Sequence, residues 1–124
     1  CHPVLHQRMV KNRRERGARI VVIDPRRTAT AEDADLVLQI APGTDSVLFS
    51  GLFVHLAAKE MLNRDFIGDC TNGFAVALAR AREIAPDPET VATACGIARE
   101  DVTTFFDWYR VTEKVVTLYS QGVN

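Results

Sequence analysis

Two short runs of branched apolar residues constrain this chain more than any other feature: Arg19-Ile20-Val21-Val22-Ile23 and Leu36-Val37-Leu38-Gln39-Ile40. Both are bounded by turn formers, too short for ordinary helices and too continuously apolar for strands with one wet face. They therefore read as strands of a parallel sheet buried on both sides. The first run ends in Asp24-Pro25-Arg26-Arg27-Thr28 and the second in Ala41-Pro42-Gly43-Thr44-Asp45. In an open parallel sheet the carboxyl ends of the strands line the crevice that receives ligands, so Asp24, Arg26, Arg27, Thr28, Gly43, Thr44 and Asp45 are expected to converge on one place.

Helices are expected around these strands. His2 to Arg16 has Pro3 at its first position, Leu5 and Met9 one turn apart, a basic end from Lys11 to Arg16, and Gly17 as a C-terminal cap. The basic residues complement the helix dipole as a solvated terminus, whereas His2 precedes the helix, where unpaired amides gather anions. Cys1 and His6 are read as structural. Thr28 to Asp35 is a short turn or single helical turn joining the two strands. Leu48, Phe49, Leu52, Phe53, Leu56 and Ala57 recur every three or four residues and predict a long helix from Ser46 that ends with Met61 and Leu62. Within it, His55 reads as a core or boundary histidine.

Asp65 to Asn72 reads as a connecting turn with Phe66 and Ile67 tucked inward. Phe74, Val76, Ala77, Leu78, Ala81 and Ile84 predict the next helix, closed by Pro86. Asp87-Pro88-Glu89 opens another that Gly96 stops, and Val102, Phe105, Phe106 and Tyr109 form the buried face of a last one. Val115 to Tyr119 reads as a third buried strand, delivering Ser120-Gln121-Gly122-Val123-Asn124 to the same crevice. The fold class is α/β: a Rossmann-like three-layer domain with a short parallel sheet flanked by helices, spanning residues 1–124 as a single domain.

Composition narrows the function. At 124 residues and 47% hydrophobic, one core is expected. A net charge of −1 leaves no overall electrostatic footprint for nucleic acid or an anionic membrane, and no apolar stretch approaches the ~20 residues of a membrane span. Cys1, Cys70 and Cys95 lie far apart, without zinc or iron–sulfur spacing, and so sparse a count suits a reducing compartment, the cytoplasm. The helix pair around Gly96 has helix-turn-helix spacing, but its second helix would open with Glu100 and Asp101, the wrong sign for phosphate. Packing is the preferred role, with a non-catalytic interaction module as the alternative.

The loops carry the chemistry. An acid such as Asp24 at a strand end often binds a sugar hydroxyl, and Pro25 sets the direction in which the loop leaves. Arg26 and Arg27 offer planar forks to phosphate or to the face of a base. Each alone is an ordinary surface arginine; beside Asp24 and the second loop, at least one reads as a ligand group. Gly43 lets a ligand approach the backbone, and Thr44 or Asp45 caps the following helix. GxGxxG, GxxxxGK[ST], HExxH and GxSxG are all absent. The residues alone thus describe an α/β domain that holds part of a phosphorylated or nucleotide-like ligand.

Cys1-His2-Pro3-Val4-Leu5, Val22-Ile23-Asp24-Pro25-Arg26-Arg27-Thr28, Ala34-Asp35, Ala41-Pro42-Gly43-Thr44-Asp45 and Tyr119-Ser120-Gln121-Gly122-Val123-Asn124 together resemble the molybdopterin oxidoreductases that carry a bis(molybdopterin guanine dinucleotide) cofactor. The opening and closing motifs resemble assimilatory nitrate reductases most, with formate dehydrogenases and periplasmic nitrate reductases as near alternatives. The resemblance implies a piece of a larger molybdenum oxidoreductase, inactive when excised. It places His2 at the end of a cofactor loop, Ile23, Asp24, Pro25, Arg26 and Arg27 beside the guanosine, and Gly43, Thr44 and Asp45 in a second such segment. Gln121, Gly122 and Asn124 would open a loop near the pterin. No catalytic residue and no metal ligand is expected within the chain, and the 4Fe-4S cluster is expected outside it. The implied partners are the remaining domains of the same polypeptide and an electron-donor protein or subunit, without nucleic acid or membrane insertion.

Overall fold

Helix α1, Pro3–Arg16, starts at the proline, whose missing amide costs nothing in a first turn, and stops where Gly17 adopts a left-handed φ of 68°. The computed structural model describes residues 2–119, and its chain divides into two compact units, Cys1–Ile40 and Ala41–Asn124. The fold class is the expected α/β, built on a short parallel sheet.

In the first unit, β1 (Val21–Ile23) pairs in parallel with β2 (Leu36–Leu38), Val22 opposite Val37. The link between them holds a 3-10 turn, Ala29–Asp33, the single helical turn expected and close to the shortest connection that can return a chain to a parallel neighbour. Asp35 fastens this unit. Its carboxylate accepts two contacts of 2.9 Å from Arg13 Nε and one of 2.6 Å from Nη2, and its Oδ2 also accepts the Ile20 amide at 2.8 Å. Hydrogen bonding to Arg13 holds the Asp35 carboxyl below the usual carboxylate range.

Asp35→Ala is expected to destabilise the first unit by about 1 kcal/mol, mainly through the lost acceptor of the Ile20 amide. The solvent-open arginine pair adds little. Because the folded-state pKa is depressed, Asp35 contributes stability above the unfolded carboxyl pKa and loses it as the pH falls through the folded value. Amide hydrogen exchange at Ile20, measured in wild type and variant across the acid range, checks both statements; equal exchange in the two would refute them.

The second unit is all helical among the described residues: α2 (Asp45–Ala58), α3 (Arg64–Cys70), α4 (Phe74–Ile84), α5 (Pro88–Cys95) and α6 (Arg99–Val111). Helix α2 is its axis, packed by α4, α5 and α6, which explains why α2 is apolar nearly all round. Gly51 is needed for that packing, since a Cβ there would lie 2.4 Å from Val91 Cγ2 and 3.1 Å from Phe106 Cζ. Val91, Cys95, Val102 and Phe106 are fully buried around it, and Phe105 nearly so, with Phe53 and Phe74 edge-on at 5.5 Å. The expected face of α6 is therefore present at Val102, Phe105 and Phe106, while Tyr109 at its end is only half-buried.

Three expectations need correction. Helix α2 ends at Ala58, before Met61 and Leu62, because Glu60 takes the left-handed position (φ 56°) while the Met61 amide returns to the Leu56 carbonyl at 3.0 Å. The segment read as a turn from Asp65 to Asn72 is largely helix α3, started by the Asn63 side chain accepting the Phe66 amide at 2.9 Å, and its Phe66 is exposed rather than tucked in. Finally, Val115 to Tyr119 forms no strand; it is non-helical and exposed throughout, because strand propensity needs a neighbouring strand to become a strand.

Candidate functional site

The edge of the sheet is where the first candidate group stands. Beyond β1 the Asp24 amide still donates to the Leu38 carbonyl at 3.2 Å, extending the ladder by one rung. Pro25 then ends it, having no amide to give. The turn that follows is held from both strands: Asp24 Oδ1 accepts the Arg26 amide at 2.7 Å, and Gln39 Nε2 donates to the Pro25 carbonyl at 3.1 Å. This Asx turn fixes the backbone from which Arg26 and Arg27 project. Arg26 is 82% exposed, with Nε 3.7 Å from Asp24 Oδ1; Arg27 is exposed and has no carboxylate partner among the described residues. Ile23, Asp24, Pro25, Arg26 and Arg27 thus sit together on one strand edge.

A second group opens α2. Gly43 has a φ of 83°, and a Cβ built there meets nothing within 4 Å, so the peptide is open to an incoming molecule. Thr44 is the N-cap by geometry, but its hydroxyl donates to the Ala41 carbonyl at 2.7 Å and caps none of the first-turn amides. Asp45, half-buried, is the first helical residue rather than the cap. Uncapped amides at a helix start favour an anion or an acceptor-rich ligand, and the carboxylate beside them adds an acceptor for N–H groups.

His2 is exposed at the start of α1, again without a side-chain cap bond, and it lines a shallow hollow of about 350 Å³ with Pro3, Leu5 and Arg8. Gln121, Gly122 and Asn124 lie outside the described residues. Gln39 was missed by sequence reasoning, although its polarity inside an apolar run was a signal that this strand-end position faces outward. His55 is a boundary residue, as expected: burial lowers its pKa, Asp107 at 3.6 Å partly opposes this, and its Nε2 has no hydrogen-bond partner. No group of three His, Cys, Asp or Glu side chains suited to a metal ion occurs among the described residues, and no described helix is long and apolar enough to cross a membrane.

Taken separately, the first loop offers exposed guanidinium forks on a fixed turn, groups suited to phosphate, and the second offers an open glycine peptide with helix-start amides beside a carboxylate that can accept from N–H groups. Fold and loops define the class as α/β, with a polar loop following each of the two strands in sequence. The comparisons go further. The chain is 40% identical over 125 residues to a nitrate reductase of Klebsiella oxytoca and 32% identical over 124 residues to the F420-dependent formate dehydrogenase subunit alpha of Methanocaldococcus jannaschii, spanning 14% and 18% of those proteins. The solved acetylene hydratase from Pelobacter acetylenicus superposes with a TM-score of 0.66 at 29% identity, covering 77% of this chain and 13% of that one. No family model matches. The chain belongs to the molybdopterin oxidoreductases, as a segment much shorter than these relatives.

Proposed function

We propose that this chain is the α/β part of a larger molybdenum oxidoreductase that holds molybdopterin guanine dinucleotide, and that the whole protein is a nitrate reductase converting nitrate to nitrite. The observation that carries the binding role is the turn at Asp24–Arg27, held by bonds of 2.7 and 3.1 Å that involve the Asp24 and Gln39 side chains, so that two exposed guanidinium forks project from a fixed backbone, Arg26 beside Asp24 and Arg27 without a carboxylate partner among the described residues. Arg26 and Arg27 bind the diphosphate, and the Asp24 carboxylate is placed for a ribose hydroxyl. The Gly43 peptide and the start of α2 lie against the nucleoside, Asp45 accepts from the guanine N1 and N2 hydrogens, and His2 with Gln121, Gly122 and Asn124 contacts the pterin side.

When bound, the molybdenum centre supplies the redox step, and the protein supplies position and charge. The 4Fe-4S cluster and the electron-donor contact belong to other parts of the polypeptide or to a partner, in the cytoplasm. The formate dehydrogenase relative supports formate oxidation as the second reading.

Acid denaturation of the natively purified full-length protein is expected to release GMP together with molybdenum; a complete native protein containing neither would refute the assignment. Within it, Asp45→Ala removes the acceptors that recognise the guanine edge. The preference of the cofactor-stripped protein for GMP over IMP should fall about tenfold, the worth of the one charge-assisted hydrogen bond to the amino group that IMP lacks. An unchanged ratio would remove Asp45 from the guanine site.

A further inference from the structure

Helix α5 lies against the start of α2 and touches the candidate loop at its far end. Two contacts come from a single residue. The Ala41 amide, at the loop's beginning, donates to the Cys95 carbonyl at 2.8 Å, and the Cys95 thiol donates to the Thr44 carbonyl, at the loop's end, at 3.8 Å. Cys95 is fully buried, and burial pushes its thiol pKa up, so it remains a protonated donor.

The geometry follows from the sequence. Gly96 takes a left-handed φ of 70° and closes α5 by returning its amide to Ala92. The Cys95 carbonyl is one of the end carbonyls that a helix leaves without an internal partner, and the Ala41 amide satisfies it. Farther along, Gly51 lets Val91 approach α2 without a Cβ in the way. The pairs Gly51–Val91 and Thr44–Cys95 run antiparallel, so α5 is held along the first half of α2 with its last residue at the loop.

We propose that Cys95 is a positioning residue that spans the Ala41–Thr44 loop and fixes the Gly43 peptide and the α2 start for the guanine nucleotide. This rests on the cofactor reading above, which the test separates from it. The comparison is Cys95→Ala against Val91→Ala, a buried truncation one turn back on the same helix that does not reach the loop. In the cofactor-stripped full-length protein, Cys95→Ala should weaken GMP binding up to about tenfold, the upper end of what one neutral hydrogen bond contributes. It should also accelerate amide exchange at residues 41–45. Val91→Ala should lower the melting temperature at least as much while leaving both unchanged.

If GMP affinity and loop exchange in the two variants instead follow the melting temperature alike, Cys95 is core packing and the proposal is overturned. Accelerated loop exchange in Cys95→Ala alone, in a protein whose wild type does not bind GMP, supports the brace and overturns the cofactor assignment.

Discussion

Phe106→Ala is expected to lower the unfolding free energy of the helical unit by about 3–5 kcal/mol, the range for removing a fully buried aromatic ring. Phe106 is 1% exposed and lies at the junction of three helices. Its ring stands 5.4 Å from His55 on α2 and 5.9 Å from Phe105, and its Cζ is the atom a Cβ on Gly51 would press at 3.1 Å. The surrounding Leu48, Val91 and Val102 are themselves fully buried and cannot all relax into the space, so a cavity term adds to the lost transfer energy. Trp108, the chain's one tryptophan, lies on the same helix, and its fluorescence in a urea titration reads the effect directly. Phe66→Ala, at a ring 58% exposed on α3, should change the midpoint little, within about 0.5 kcal/mol. Equal losses in the two variants would mean that the core is not centred on α2 and α6.

The helical unit was legible wherever local chemistry decides the structure. Asp87 and Pro88 start α5, with the Asp87 carboxylate accepting the Thr90 amide at 2.8 Å, and Gly96 stops it; the Val102–Phe105–Phe106 stripe faces the core. Such signals are confined to a few adjacent residues. The cap at Asn63 is equally local, but α3 has no buried residue and so offers no apolar period to mark it as a helix. Val115 to Tyr119 shows the reverse case, a strong strand composition for which no pairing occurs among the described residues. Turn formers identified the two candidate loops, Asp24–Arg27 and Gly43–Asp45. The bonds that hold those loops come from Gln39 and Cys95, and Cys95 is distant in sequence from the loop it touches. No spacing rule encodes such a contact, because it depends on α5 crossing α2 at Gly51.

Reversing both charges at the sheet edge, Arg26→Glu with Arg27→Glu, is expected to weaken GMP binding by the cofactor-stripped full-length protein at least about a hundredfold. A hydrogen bond to a charged group contributes about 1.5–3 kcal/mol, and the double variant removes the guanidinium donors while adding repulsion from two carboxylates. Folding should persist, because both side chains are exposed and the Asx turn beneath them depends on the Arg26 backbone amide rather than on its side chain. Net charge alone could weaken anion binding, so Arg14→Glu with Arg16→Glu, at the exposed basic end of α1, supplies the same change elsewhere in the chain. That control should bind GMP almost as wild type does, and its small deficit should vanish near 1 M salt, where the screening length is about 3 Å and more distant charges are largely screened. The loop variant should keep most of its deficit there, since direct phosphate contacts are shorter than the screening length. If the two double variants lose affinity equally and recover together in salt, the arginines contribute only long-range charge and the diphosphate lies elsewhere.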